Sequence, residues 1–188
     1  MGEMRFGENV NRVLTDVIDK YFNGRNEWSI CECDEIESYS DFKSMILNVA
    51  WAKRSNGKRF FHQRLIRHQA LSQAAKLIID NAENFRSANN FEELFNRMNN
   101  LVKNIYGIGE LFIYDTANRI GTFLKIEPSK VYIHNGVRKG AQALGFRGSI
   151  SAIEMEHLPQ PLAKLRPKDV EDILCIFKKE LRDASRDS

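Results

Sequence analysis

Gly107-Ile108-Gly109 interrupts two runs of apolar residues at helical spacing, and no other feature constrains this chain as strongly. Before it, Leu101 and Ile105 continue a helical stripe that begins at Phe91; after it, a second helical run covers 110–124. Glycine tolerates the positive φ that other residues resist, so two glycines one residue apart let the backbone reverse within a few residues. Ile108 is then expected to point inward and pin the two helices together. The reversal leaves N–H groups without acceptors at the start of the second helix, where the helix dipole is positive, which makes a seat for one phosphate.

The rest of the chain reads as helix as well. Val10, Val13, Leu14, Val17, Ile18 and Tyr21 predict a first helix from residue 7 or 8 to Asn23-Gly24. Residues 25–39 are polar and acidic with isolated Trp28 and Ile30, and predict a loop with at most a short turn. A second helix is expected from residue 40 or 41 to 54, a turn at Ser55-Asn56-Gly57, and the longest helix over 59–81, with Phe61, Leu65, Ala74, Leu77 and Ile78 inside. A polar connection over 81–90 leads to the hairpin. Pro128 is suited to open a helix over 129–144, which Gly145 and Gly148 close. A short helix over 151–157 and a last one from Pro167, with Val170, Ile173, Leu174, Phe177 and Leu181 on one face, complete the chain. No alternating run of useful length predicts a strand. The expectation is an all-α, single compact multi-helix domain over 1–188, with about seven or eight helices. Its parts are an acidic N-terminal helix and loop (1–41), a basic helical segment (42–81), a hairpin-containing core (91–148) and a C-terminal helical segment (149–188).

Charge is divided sharply along the chain. Residues 1–41 hold four Lys/Arg against ten Asp/Glu, whereas 42–79 hold eight Lys/Arg and no acid, inside a net charge of +3. Lys53, Arg54, Lys58, Arg59, Arg64 and Arg67 form the densest basic patch, with Trp51, Phe60 and Phe61 interleaved. Arg64, Arg67 and His68, three and four apart, would share a face of the long helix. Basic side chains fit phosphates, and aromatic rings either stack on bases or fill the core.

The pattern Leu101-x-x-x-Ile105-x-Gly107-Ile108-Gly109 resembles the hairpin of helix-hairpin-helix DNA-binding proteins, including the helix-hairpin-helix DNA glycosylase superfamily. The resemblance spans residues 101–124 of 188. It implies DNA as the partner, held through backbone N–H groups at Gly107 and Gly109. That family usually keeps a small residue four beyond the second glycine, where this chain has Ile113. Its glycosylases keep an Asp further downstream and often a Lys just after the hairpin; Ser129 and Glu110-Leu111 occupy those neighbourhoods here.

Asp115 and Arg119 are spaced i, i+4 and are expected to pair on one helix face. The catalytic alternative brings Asp115 and His134 together in one pocket, with His134 as general acid or base. No Ser-His-Asp order, P-loop, HExxH or paired CxxC motif occurs, so no cofactor is implied. Cys31, Cys33 and Cys175 are too few for a disulfide framework and show no structural zinc spacing, so no metal is expected. With 43% hydrophobic and 28% charged residues the composition is globular. No apolar run reaches membrane-spanning length and no signal-peptide segment is recognised, which together predict a cytoplasmic protein. The first expectation is a nucleic-acid-binding helical protein with no base-excision activity. A divergent glycosylase-like enzyme and a helical adaptor for an acidic protein partner are the alternatives.

Overall fold

The computed structural model describes residues 8–24 and 29–186, with side chains over 10–24 and 32–185. Trp28 and the side chains of Ile30 and Cys31 lie outside the described residues. The chain is mainly helical, as its spacing predicts. It forms two compact units, a continuous one over Trp28–Pro128 and a split one that joins Met1–Glu27 to Ser129–Ser188. The first helices in chain order are α1 (Glu8–Gly24), α2 (Ser29–Glu37), α3 (Phe42–Ala50), α4 (His68–Asp80), α5 (Ala82–Arg86), α6 (Phe91–Val102) and α7 (Glu110–Leu124). Strand β1 (Lys130–Tyr132), α8 (Asn135–Ala143), strand β2 (Ala152–Glu154), α9 (Gln160–Ala163), α10 (Pro167–Ile176) and α11 (Lys178–Arg186) follow. Eleven α-helices therefore appear among the described residues, where seven or eight were expected.

In the continuous unit, α2 forms where a loop was expected. Ile36 is its buried apolar anchor, and its carboxylates supply the rest: Glu32 accepts from Arg119 Nε at 2.5 Å and Glu35 from Arg54 Nε at 2.7 Å. Helix α3 is capped by Asp41, whose Oδ1 accepts from Ser44 N at 2.8 Å, and buries Phe42, Met45, Ile46, Val49 and Ala50. The chain then turns through Ala52, at φ +53°, into a tight loop in which Lys53 and Arg59 pair as an antiparallel bridge.

The long helix expected over 59–81 is shorter, since α4 begins only at His68. A single 3-10 turn, Phe61–Gln63, precedes it. Two polar contacts divert the backbone: Arg59 donates to the Ile66 carbonyl at 2.8 Å, and buried Gln63 donates to Asp115 Oδ2 at 3.2 Å. Phe61 and Leu65, expected inside, are 58% and 86% exposed. The connection over 81–90 contains α5, which buries Phe85. The arms α6 and α7 form, α7 over the residues expected and α6 ending at Val102, short of Ile105; Ile105 and Ile108 are both buried.

In the split unit the expected helix over 129–144 divides. Val131, Tyr132 and Ile133 are all buried, and Val131 and Tyr132 lie in an extended segment that pairs with a second one. Strand β1 pairs antiparallel with β2, Val131 opposite Ile153, so the short helix expected over 151–157 is a strand followed by a 3-10 turn. Helix α8 packs on α10 through Gly140, which lies against the Leu174 backbone, so the glycine spacing at Gly136 and Gly140 permits close packing. Leu14, Val17, Val137, Ala141, Val170, Ile173, Leu174 and Leu181 form the core of this unit. Tyr21 fastens α1 to α10 by donating its hydroxyl to Asp169 and Asp172 at 3.1 and 2.9 Å.

Candidate nucleic-acid interface

The basic residues of the 53–67 loop fall into two sets. Arg54 and Arg59 are half-buried and hold the loop: Arg54 pairs with Glu35, and Arg59 binds the Ile66 carbonyl. Ser55 N also donates to Glu35 Oε1 at 2.5 Å. Burial raises the Glu35 carboxyl, but the Ser55 N–H and the Arg54 guanidinium outweigh it and hold the group below its usual range. Lys53, Lys58, Arg64 and Arg67 are exposed, and among the described residues none of them forms an ion pair. The acidic N-terminal segment thus neutralises Arg54 and leaves these four cations in solvent.

Aromatic rings lie among the exposed cations. The Arg64 guanidinium lies over the Phe61 ring, 4.1 Å from its centre, and Lys53 Nζ lies 5.8 Å from the centre of the Trp51 ring. Trp51 in turn meets exposed His68 with ring centres 5.8 Å apart. Two residues further along α4 stands Ala70, and a Cβ built on Gly107 would lie 3.3 Å from the Ala70 Cβ. The α6–α7 turn therefore packs against the first half of α4 at Ala70. Tyr106 projects from that turn with 90% of its surface exposed. Only its departure from the apolar spacing of Ile105 and Ile108 marks Tyr106 in the sequence. The exposure of Leu65 has no local signal at all.

The two glycines differ. Gly107 has φ +94°, in the region that favours glycine, whereas Gly109 is extended at φ −109° and caps α7 with open space where a Cβ would stand. The expectation that both need positive φ is corrected accordingly. Glu110 occupies the first turn of α7 and already places a carboxylate at the positive end of the dipole.

Asp115 pairs with Arg119 at 3.6 Å, the i, i+4 contact expected, and Arg119 is buried among partners from distant parts of the unit. Its Nη1 donates to Gln63 Oε1 at 3.0 Å, its Nε to Glu32, and its guanidinium lies 3.7 Å from the Phe60 ring centre. His134 belongs to the split unit, where its Nε2 is hydrogen-bonded to Glu171 Oε1 at 2.5 Å. Asp115 and His134 thus each have a described partner within their own unit. Among the described residues no group of three or more His, Cys, Asp or Glu side chains is placed to hold a metal ion. No described helix is long and apolar enough to cross a membrane.

The chain matches no protein-family model, no curated protein and no solved structure. Its functional reading rests on the surface just described.

Proposed function

We propose that the continuous unit binds nucleic acid, DNA in the first instance, through the face formed by the 53–67 loop and the α6–α7 turn. One observation carries this reading: four cations, Lys53, Lys58, Arg64 and Arg67, stand in solvent beside exposed aromatic rings in a segment that has no acid. Cations contact phosphates without reading bases, and Phe61 and Tyr106 offer surfaces on which bases stack. Little sequence preference is expected, because nothing on this face matches a set of base edges. Phosphate contacts fall on the loop cations; Glu110 disfavours an anion at the start of α7.

No base-excision activity is proposed. A glycosylase needs a carboxylate free to stabilise a cationic sugar, and Asp115 is engaged by Arg119 and Gln63. Incubation with duplexes carrying uracil, oxidised guanine or alkylated bases should leave no abasic sites; release abolished by Asp115→Asn or His134→Ala would replace binding with catalysis.

The exposure of Leu65, at 86%, favours one competing reading, an acidic protein that covers an apolar residue ringed by cations. Fluorescence anisotropy with labelled single- and double-stranded oligonucleotides separates the two. Binding should be lost when Lys53, Lys58, Arg64 and Arg67 are changed together to Gln. Unchanged binding, or none in the parent protein at low salt, overturns the nucleic-acid reading.

A further inference from the structure

The loop that follows α3 holds its aromatic rings on a closed base. Lys53 and Arg59 face each other as an antiparallel bridge, in which Arg54 N donates to the Lys58 carbonyl at 2.8 Å and Phe60 N to the Ala52 carbonyl at 2.9 Å. Glu35 fastens the same hairpin to α2 through Arg54 Nε and Ser55 N. Trp51 and Phe61 therefore flank one hydrogen-bonded pair, Ala52 and Phe60. Phe60 turns inward and is 3% exposed, whereas Phe61, the next residue, is 58% exposed. Each flanking ring has a cation beside it, Arg64 at 4.1 Å from the centre of the Phe61 ring and Lys53 Nζ at 5.8 Å from that of Trp51.

A ring held out in this way suits an unpaired base. The bases of a duplex are stacked on their neighbours and offer side chains their edges, so a ring reaches a base face there only by wedging a step apart. In a single strand the faces are open, and an aromatic side chain stacks on any of them. The hairpin and the 3-10 turn at Phe61–Gln63 fix the Phe61 backbone before any strand arrives, so less ordering entropy is lost when a base settles on the ring.

We propose, on the reading of this face as a nucleic-acid surface, that the strand it takes is single, and that Phe61 is the residue that tells an unpaired strand from a duplex. One base stacks on the exposed Phe61 ring, with Arg64 beside it for the phosphate of the same nucleotide. Lys53, Lys58 and Arg67 add attraction for phosphate without choosing between the two forms. Cations alone would choose the other way, because a duplex carries about twice the phosphate charge along its axis. The sign of the preference therefore separates stacking from charge.

The test measures the full chain by fluorescence anisotropy against one labelled DNA strand of mixed, non-self-complementary sequence, and against the same strand annealed to its complement, at the same salt. The single strand should bind about tenfold more tightly, as expected for one stacked base. Phe61→Leu, which stays apolar but removes the ring, should bring the two affinities together or reverse their order, while Phe61→Tyr should keep the preference. Equal or tighter binding of the duplex by the parent protein overturns the proposal and leaves the nucleic-acid surface standing; binding of neither form overturns both. A Phe61→Leu protein that melts as the parent does and keeps the full preference for the single strand overturns the proposal as well.

Discussion

Gly107 and Gly109 look equivalent in the sequence, yet their backbones place different demands on a side chain. At Gly107 any other residue must hold φ near +94° and fit its Cβ 3.3 Å from Ala70, whereas Gly109 is extended and open. Gly107→Ala is therefore expected to cost about 1 to 3 kcal/mol, and Gly109→Ala less, about 0.5 kcal/mol for the poorer N-cap, by thermal melting. Equal losses would contradict the assigned turn. Arg119 makes the same point for a charged group. Its pairing with Asp115 was legible, because i, i+4 spacing fixes the geometry of a helix face. Gln63 and Glu32, which lie 56 and 87 residues away in sequence, were not, because nothing local encodes a tertiary hydrogen bond. Arg119→Leu leaves Asp115 and Gln63 without their buried partner and is expected to lower stability by about 3 kcal/mol in urea denaturation.

Elements with an apolar stripe were readable, and elements held by something else were not. Helices α3, α6 and α7 follow from hydrophobic spacing and from caps at Asp41 and Asn90. Helix α2 has one buried apolar anchor described, Ile36, and is held largely by carboxylates whose partners lie far along the chain. The β1–β2 pair is three residues long on each side, too short for alternation to register, and Pro128 suggested a helix start instead. The loop ahead of α4 carries helix-compatible residues, but Gln63 is buried there between Asp115 and Arg119. The attachment of α1 to α10 has a pH signature. Burial, then Asp172, then Asp169 raise the Tyr21 hydroxyl well above its ordinary value, so it stays protonated in the folded state where the unfolded chain would ionise. Its contribution is full below the ordinary tyrosine value of about 10 and is lost as pH rises above it through the folded value. Melting followed into alkaline solution should therefore fall less steeply for Tyr21→Phe than for the parent; parallel curves would contradict this linkage.

At the scale of the molecule, the charge asymmetry of the sequence becomes a division of labour within the continuous unit. Acids from α2 meet Arg54, Arg119 and Lys125, which are part of the fold, while Lys53, Lys58, Arg64 and Arg67 remain in solvent. The sequence shows eight cations without an acid between 42 and 79, but which ones face outward depends on the turn at Ala52 and the late start of α4. The most direct test of nucleic-acid binding is the salt dependence of affinity for a single-stranded oligonucleotide. Each phosphate neutralised contributes roughly 0.7 to the downward slope of log K against log salt, so four outward cations predict a slope of about −3. The variant with all four changed to Gln should lose most of that slope together with its affinity. Binding whose slope is the same in parent and variant, or an affinity indifferent to salt, would contradict the account.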